Sequence, residues 1–63
     1  IYQTTFDTPI SFIPIRETPY IDGKESYSCP NGTKVYVIER TSNSYYKVSV
    51  NNYIGYVATS FLK

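Results

Sequence analysis

Residues 33–40 read Thr-Lys-Val-Tyr-Val-Ile-Glu-Arg, a segment in which apolar and polar side chains alternate. In an extended chain Val35 and Val37 lie on one face and Tyr36 lies on the other. The same period of two recurs in two later segments, residues 44–50 and residues 53–58. This pattern predicts three consecutive β-strands, each with one face turned toward a core.

Turn-forming residue pairs separate the apolar segments at nearly regular intervals, at Asp22-Gly23, Asn31-Gly32, Ser42-Asn43 and Asn51-Asn52. Asn and Gly adopt positive φ at little steric cost, as two-residue hairpin turns require. We therefore expect short antiparallel strands joined by hairpins. The final residues, from Thr59 to Leu62, are too few for a regular helix but can form one 3₁₀ turn that places Phe61 or Leu62 on the open end of a barrel.

The composition favours an all-β fold over a helical one. The 63 residues include seven Ile, five Val, seven Thr, eight Tyr and three Phe, all of which suit a pleated, half-buried surface. Good helix formers are nearly missing, with one Ala, one Leu and no Met. A chain of this length forms one small domain, and a helical bundle is excluded.

Charge and hydropathy exclude several classes of partner. The net charge is +1 and neither sign is clustered, whereas non-specific nucleic-acid binding needs a basic face. The longest apolar run has four residues, far below the roughly 20 that span a bilayer. No basic segment followed by an apolar one opens the chain, so we expect any export signal to have been removed already.

The inventory of reactive side chains predicts no enzyme, metal site or cofactor. Cys29 is the single cysteine and there is no His, so neither an internal disulfide nor a zinc site is expected. Without a base to form the thiolate, Cys29 is predicted to be a small buried apolar group. The five acidic residues are scattered over turns and loop edges and are expected to be solvated.

The N-terminal part of the chain is less regular. Prolines stand at positions 9, 14 and 19, and Pro14 between two isoleucines is expected at a sheet edge or a bulge. Residues 1–12 are compatible either with a linker or with an additional edge strand, and the domain proper is expected to cover residues 13–63.

Four segments resemble, in this order, the motifs of the bacterial SH3-like (SH3b) domain: Ile13-Pro14-Ile15-Arg16-Glu17-Thr18-Pro19, Gly32-Thr33-Lys34-Val35-Tyr36-Val37-Ile38-Glu39, Tyr45-Tyr46-Lys47-Val48, and Gly55-Tyr56-Val57-Ala58-Thr59-Ser60-Phe61-Leu62. Cys29 falls where that pattern has a core Leu. The chain departs from the pattern at Thr18, which replaces a Gly, and at Pro14, which replaces an Asn. Residues 20–28 match poorly and are taken as a loop.

The resemblance implies a small, partly open SH3-like β-barrel of five or more antiparallel strands. It also implies a non-catalytic binding module in an extracellular, wall-associated or periplasmic bacterial protein. Such modules hold an attached hydrolase or surface protein to peptidoglycan, often through its peptides. The alternative is a protein-interaction module that packs against a neighbouring domain of the same chain and has no wall ligand.

The excess of tyrosines points to the candidate binding residues. Strand alternation places Tyr46 and Tyr53 inward and turns Tyr36, Tyr45 and Tyr56 outward, where exposed aromatics form a contact surface. Because the first loop of the resembled fold covers one side of the barrel, we expect a groove lined by the following residues: Tyr20, Tyr45 and Tyr56, joined by Tyr36 and by Glu17 as a polar group. The alternative is that these rings only pack across neighbouring strands.

Overall fold

The computed structural model describes residues 2–63 as six β-strands and one short 3₁₀ helix. In chain order these elements are β1 (Tyr2–Thr5), β2 (Phe12–Arg16), β3 (Glu25–Pro30), β4 (Lys34–Glu39), β5 (Tyr45–Val50), β6 (Tyr53–Ala58) and the 3₁₀ helix Thr59–Phe61. No helix within residues 2–63 has the length and apolar character needed to cross a bilayer.

The six strands form one antiparallel sheet in the order β1-β4-β5-β6-β2-β3. A flat sheet of this size is only about 10 Å thick, whereas the molecule measures 23 × 22 × 22 Å. The sheet is therefore curled around its core, and its end strands β1 and β3 do not pair. The predicted all-β, partly open SH3-like architecture is confirmed.

The core lies on the inner face of the curled sheet. It consists of nine buried side chains: Phe6, Ile13, Ile15, Cys29, Val35, Val37, Val48, Val50 and Val57. Phe61 and Leu62 pack against it from the C-terminal end, as expected for the 3₁₀ turn. The strand segments at residues 33–40, 44–50 and 53–58 are confirmed to within one residue at each end.

The hairpin between β5 and β6 has the two-residue turn that the sequence predicts. Asn51 and Asn52 both have positive φ, 49° and 68°, as a type I′ turn requires. The β3–β4 connection uses Gly32 at a φ of 89°. The loop assigned to residues 20–28 is shorter than expected, because β3 already begins at Glu25 and pairs with β2.

Strand β2 lies between β6 and β3 in the sheet, and the expected edge or bulge at Pro14 has a local counterpart: the β2–β3 register shifts between Ile15 and Arg16, and the side of β2 at Pro14 that faces away from β3 is unpaired. The Asn31 N–H donates to the Ser11 carbonyl at 2.9 Å, which marks these residues as a hydrogen-bonded pair. Antiparallel pairs alternate, so Pro14 opposite Ser28 is a non-hydrogen-bonded pair and its nitrogen points away from β3. Since β6 pairs with β2 at Arg16 alone within residues 2–63, Pro14 needs no N–H to donate.

Residues 2–8 are integrated into the domain. β1 pairs antiparallel with β4, from Tyr2 opposite Val37 onward, and β1 rather than β3 therefore lies beside β4. Phe6 is buried and bridges to Leu62. The Asn31 side-chain amide donates to the Thr8 carbonyl at 2.7 Å and accepts from the Thr8 N–H at 3.3 Å. These contacts hold the N-terminal segment against the β3–β4 turn.

Gly55 allows β6 to approach β2 closely. A Cβ atom at this position would lie 2.6 Å from Ile15 Cγ2 and 2.8 Å from the Arg16 carbonyl oxygen. Both distances are shorter than real Cβ contacts. The expectation that this strand glycine marks a close approach is confirmed.

Candidate functional site

An open cleft of about 630 Å³ lies between two loops on one side of the barrel. The β2–β3 loop contributes Pro19, Tyr20, Ile21 and Asp22, and the other side is lined by Ser42, Ser44 and Tyr45. Tyr20 and Ile21 are 64% and 75% exposed. Large apolar side chains that are this exposed on a 63-residue domain are candidates for contact with a partner.

Backbone hydrogen bonds and one arginine hold the β2–β3 loop. Arg16 Nη1 donates to the Gly23 carbonyl at 2.7 Å, and the Glu17 N–H donates to the Lys24 carbonyl at 2.9 Å. The Gly23 N–H donates to the Tyr20 carbonyl at 3.0 Å and closes a β-turn. A Cβ at Gly23 would collide with the Thr18 side chain. These constraints position the tip of the loop.

The other wall of the cleft is ordered by the hydroxyl of Ser42. Ser42 Oγ accepts hydrogen bonds from the N–H groups of Tyr45, at 3.1 Å, and Ser44, at 3.3 Å. The Ser42 N–H donates to the Tyr45 carbonyl at 2.9 Å. Thr59, at the start of the 3₁₀ helix, donates from its N–H to the Ser44 carbonyl and from Oγ1 to the Asn43 carbonyl. The C-terminal half of the β4–β5 loop is therefore held in place.

Tyr45 is the buried member of the cleft lining. Its position on β5 predicts exposure, but only 8% of its surface is accessible, so that expectation is wrong. On the outer face Tyr45 lies opposite Ala58, whose side chain is small. It lines the same cleft as Pro19 and Tyr20 of the β2–β3 loop. Tyr45 is therefore a buried ring on the outward register of β5, in a cleft that it shares with the β2–β3 loop.

Tyr56 lies next to the cleft but does not line it. It is opposite Lys47 on β5 and Arg16 on β2. Because Tyr45 is opposite Ala58, Tyr45 and Tyr56 are diagonal neighbours on the same face, with Cα atoms roughly 7–8 Å apart. Tyr56 is half-buried at this position. The structure therefore brings together three of the expected groove residues, two in the cleft and one beside it.

Tyr36 and Glu17 are not brought into the cleft. Tyr36 is 51% exposed and lies opposite Gln3 on β1 and Ser49 on β5. Ser49 is four residues along β5 from Tyr45, a distance of roughly 13 Å. Glu17 is exposed in the β2–β3 loop, but its side chain does not line the cleft.

The tyrosines expected to face inward behave differently from each other. Tyr46 packs against the core, as expected, and its ring centroid lies 6.0 Å from Arg40 Cζ. Tyr53 lies opposite the buried Val50, on the inward register as expected, but it is 50% exposed and does not join the core. It stands at the first position of β6 and stacks on Tyr27 with ring centroids 4.2 Å apart. The Asn51 side chain donates to the Tyr27 hydroxyl at 3.0 Å.

The single thiol lies in the core rather than at the cleft. The Cys29 side chain is fully buried, and burial raises the pKa of its thiol above the ordinary value of 9.0. A thiol shifted in this direction is a poor nucleophile. Within residues 2–63, no three His, Cys, Asp or Glu side chains lie close enough together to hold a metal ion.

Comparison with protein families agrees with this architecture. The family model for the bacterial SH3 domain matches residues 11–63. The chain belongs to the bacterial SH3 domain family. No curated protein matches the chain significantly. Strand β1, at Tyr2–Thr5, precedes the part of this bacterial SH3 domain that the family model covers. Membership of the family supports a binding module.

Five cleft residues of this bacterial SH3 domain were not among the expected groove residues: Pro19, Ile21, Asp22, Ser42 and Ser44. Two signals nearby are visible in the sequence, since Asp22-Gly23 and Ser42-Asn43 both predict turns. Neither signal indicates that the two turns face each other, because about 20 residues and two strands separate them.

Proposed function

We propose that this bacterial SH3 domain binds extended peptides of bacterial peptidoglycan in the cleft between the β2–β3 and β4–β5 loops. In this role it holds an attached hydrolase or surface protein to the wall. The protein then works outside the cytoplasm, associated with the wall or in the periplasm. Family membership and the exposed aromatic cleft support the proposal.

The observation that carries the proposal is the pairing of Tyr20 and Tyr45 across the cleft. Tyr20 and Ile21 are exposed apolar side chains, and Tyr45 supplies a ring that is already ordered by burial. Ordered tyrosines bind at a low entropic cost and offer both an apolar ring and a hydroxyl. An extended peptide with small side chains can lie in such a cleft, because its side chains need little room between the two walls.

The shape of the cleft fits a weak, tethered interaction. Its volume of about 630 Å³ is that of a small-ligand site, but the cleft is open and its loops are short. A domain attached to an enzyme or surface protein gains from effective concentration once the parent protein is at the wall. Modest affinity is therefore sufficient for targeting.

A sedimentation assay with purified Gram-positive peptidoglycan sacculi tests the proposal. We expect the domain to bind sacculi, and Tyr20→Ala to weaken binding at least about fivefold, as loss of a contacting aromatic does. Tyr36→Ala is the matched control, because it removes another exposed tyrosine that the structure places away from the cleft. Tyr36→Ala is expected to bind as the wild type does.

Three results would overturn the proposal. Equal binding by both folded variants, or a loss with Tyr36→Ala alone, would place any wall contact outside the cleft. A domain that never binds sacculi would favour the alternative in which the exposed tyrosines pack against a neighbouring domain. Thermal melts of each variant confirm that the fold is intact.

A further inference from the structure

Asp22 gives the cleft a negative charge. Among residues 2–63 it is the only charged side chain that lines the cleft. It is exposed, and it follows Ile21 in the β-turn that the hydrogen bond from the Gly23 N–H to the Tyr20 carbonyl closes. The turn therefore holds a carboxylate at the rim of an otherwise neutral cleft.

Within residues 2–63, Asp22 takes part in no ion pair. The one ion pair found within residues 2–63 joins Arg16 to Glu25, with Nη2 and Oε1 3.6 Å apart. The other terminal nitrogen of Arg16 donates to the Gly23 carbonyl. Arg16 is thus engaged with the base of the loop, and the negative charge of Asp22 remains available to a ligand.

The remaining lining adds to the attraction of a cation. The rings of Tyr20 and Tyr45 line the same cleft as Asp22, and the faces of tyrosine rings attract ammonium groups. The hydroxyl-bearing Ser44 lies on the opposite wall. A carboxylate with two aromatic rings complements a positive group and disfavours a carboxylate-bearing one by like-charge repulsion.

We propose that the cleft recognises a primary ammonium group of its peptide ligand. This inference rests on the proposed function, since it names the part of the wall peptide that the cleft selects. The same chemistry is present at a free amino terminus and on a lysine-like side chain. Asp22 binds the ammonium by charge, while Tyr20 and Tyr45 contact it and the adjoining peptide.

The test compares untreated sacculi with sacculi whose amines have been acetylated by acetic anhydride. Acetylation removes the positive charge and leaves the glycan and the peptide backbone in place. We expect the wild-type domain to bind acetylated sacculi about fivefold more weakly, the combined effect of one exposed ion pair and one cation–π contact. Asp22→Asn removes the ion pair and leaves the rings, so it is expected to reduce binding to untreated sacculi about twofold to threefold and to make binding correspondingly less sensitive to acetylation.

Glu17→Gln is the matched control. It removes an exposed carboxylate from the same loop, but one that does not line the cleft, so it reproduces the change in net charge. We expect Glu17→Gln to retain both the wild-type binding and the sensitivity to acetylation. A loss equal to that of Asp22→Asn would show that only overall charge matters and would overturn the inference.

The remaining outcomes separate the two proposals. Equal binding of the wild type to both preparations would overturn the ammonium inference and leave wall binding intact. Absence of binding to either preparation would overturn both. Two short peptides then identify the source of the ammonium by nuclear magnetic resonance titration: glycine tetrapeptide amide with a free amino terminus, and its N-acetylated form carrying one internal lysine.

Discussion

Replacing Gly55 by Val tests how closely β6 must approach β2. A Cβ at this position would lie 2.6 Å from Ile15 Cγ2 and 2.8 Å from the Arg16 carbonyl oxygen. Ile15 is fully buried in the core, and the carbonyl belongs to the residue through which β2 pairs with β6. The added atoms can be accommodated only if the strands separate or the core repacks.

The magnitude follows from two opposing effects. Removing a glycine from a strand interior stabilises the fold by roughly 0.5–1 kcal/mol, while overpacking a close contact costs about 1–3 kcal/mol. One of the two contacts at Gly55 is backbone, which cannot rotate away, so we expect the upper part of that range. The net loss in the free energy of unfolding is about 2 kcal/mol, which in a domain of this size lowers Tm by roughly 8–16 °C.

Thermal and urea unfolding, followed by circular dichroism, measure this loss. A small domain retains enough stability, about 3–9 kcal/mol in total, for the variant to remain folded at room temperature. Ser49→Val is the control, because it adds a β-branched side chain at a half-buried position on the outer face of β5 and is expected to change stability by less than about 0.5 kcal/mol. A Gly55→Val variant as stable as the wild type would refute the close-approach argument.

Three further predictions concern the core residues Cys29 and Phe6. Cys29 should react with a thiol reagent only after denaturant is added, and Cys29→Val should cost less than about 1.5 kcal/mol; rapid labelling of the folded domain would contradict its burial. Burial raises the pKa of Cys29 above its value in the unfolded chain. The unfolded thiol therefore loses its proton first, and the free energy of unfolding should fall as pH rises beyond about 9. Cys29→Val should not show this part of the pH dependence. Phe6 is buried in the core although it precedes the residues that the family model matches, so Phe6→Ala should lower the free energy of unfolding in urea by about 3 kcal/mol or more. Phe12 is exposed, and Phe12→Ala should change stability little. Equal stability of the two variants would show that residues 2–8 are dispensable.

Sequence-based prediction was accurate where neighbouring residues carry the information. Alternation along residues 33–40 predicts β4 and its inward Val35 and Val37, and the paired asparagines predict the β5–β6 turn. The position of Gly55 between two larger strand residues predicts a close approach that the structure contains. For β4 and the β5–β6 turn the determining interaction is steric and acts within a few residues. The contacts of Gly55 are instead with Ile15 and Arg16, about 40 positions away, and the sequence indicates the approach only because a strand glycine commonly marks one.

Prediction failed for Tyr53 and Tyr45 because alternation assigns a face but not an environment. Tyr53 is on the inward register, yet it begins its strand and remains half exposed while stacking on Tyr27. Tyr45 is on the outward register, yet it is buried in a lining shared with the β2–β3 loop. Both outcomes depend on residues about 20 or more positions away.

The local pattern of this sequence accounts for the strands, the turns and the inward valines, because side-chain alternation and backbone sterics operate between adjacent residues. Only the tertiary structure decides that β1 lies beside β4 and that Tyr36 stands apart from the cleft. It also brings Tyr20 and Asp22 to the same cleft as Tyr45. These placements depend on which distant strands pair and on how far the sheet curls, and both are set by the burial of the whole core rather than by any single segment.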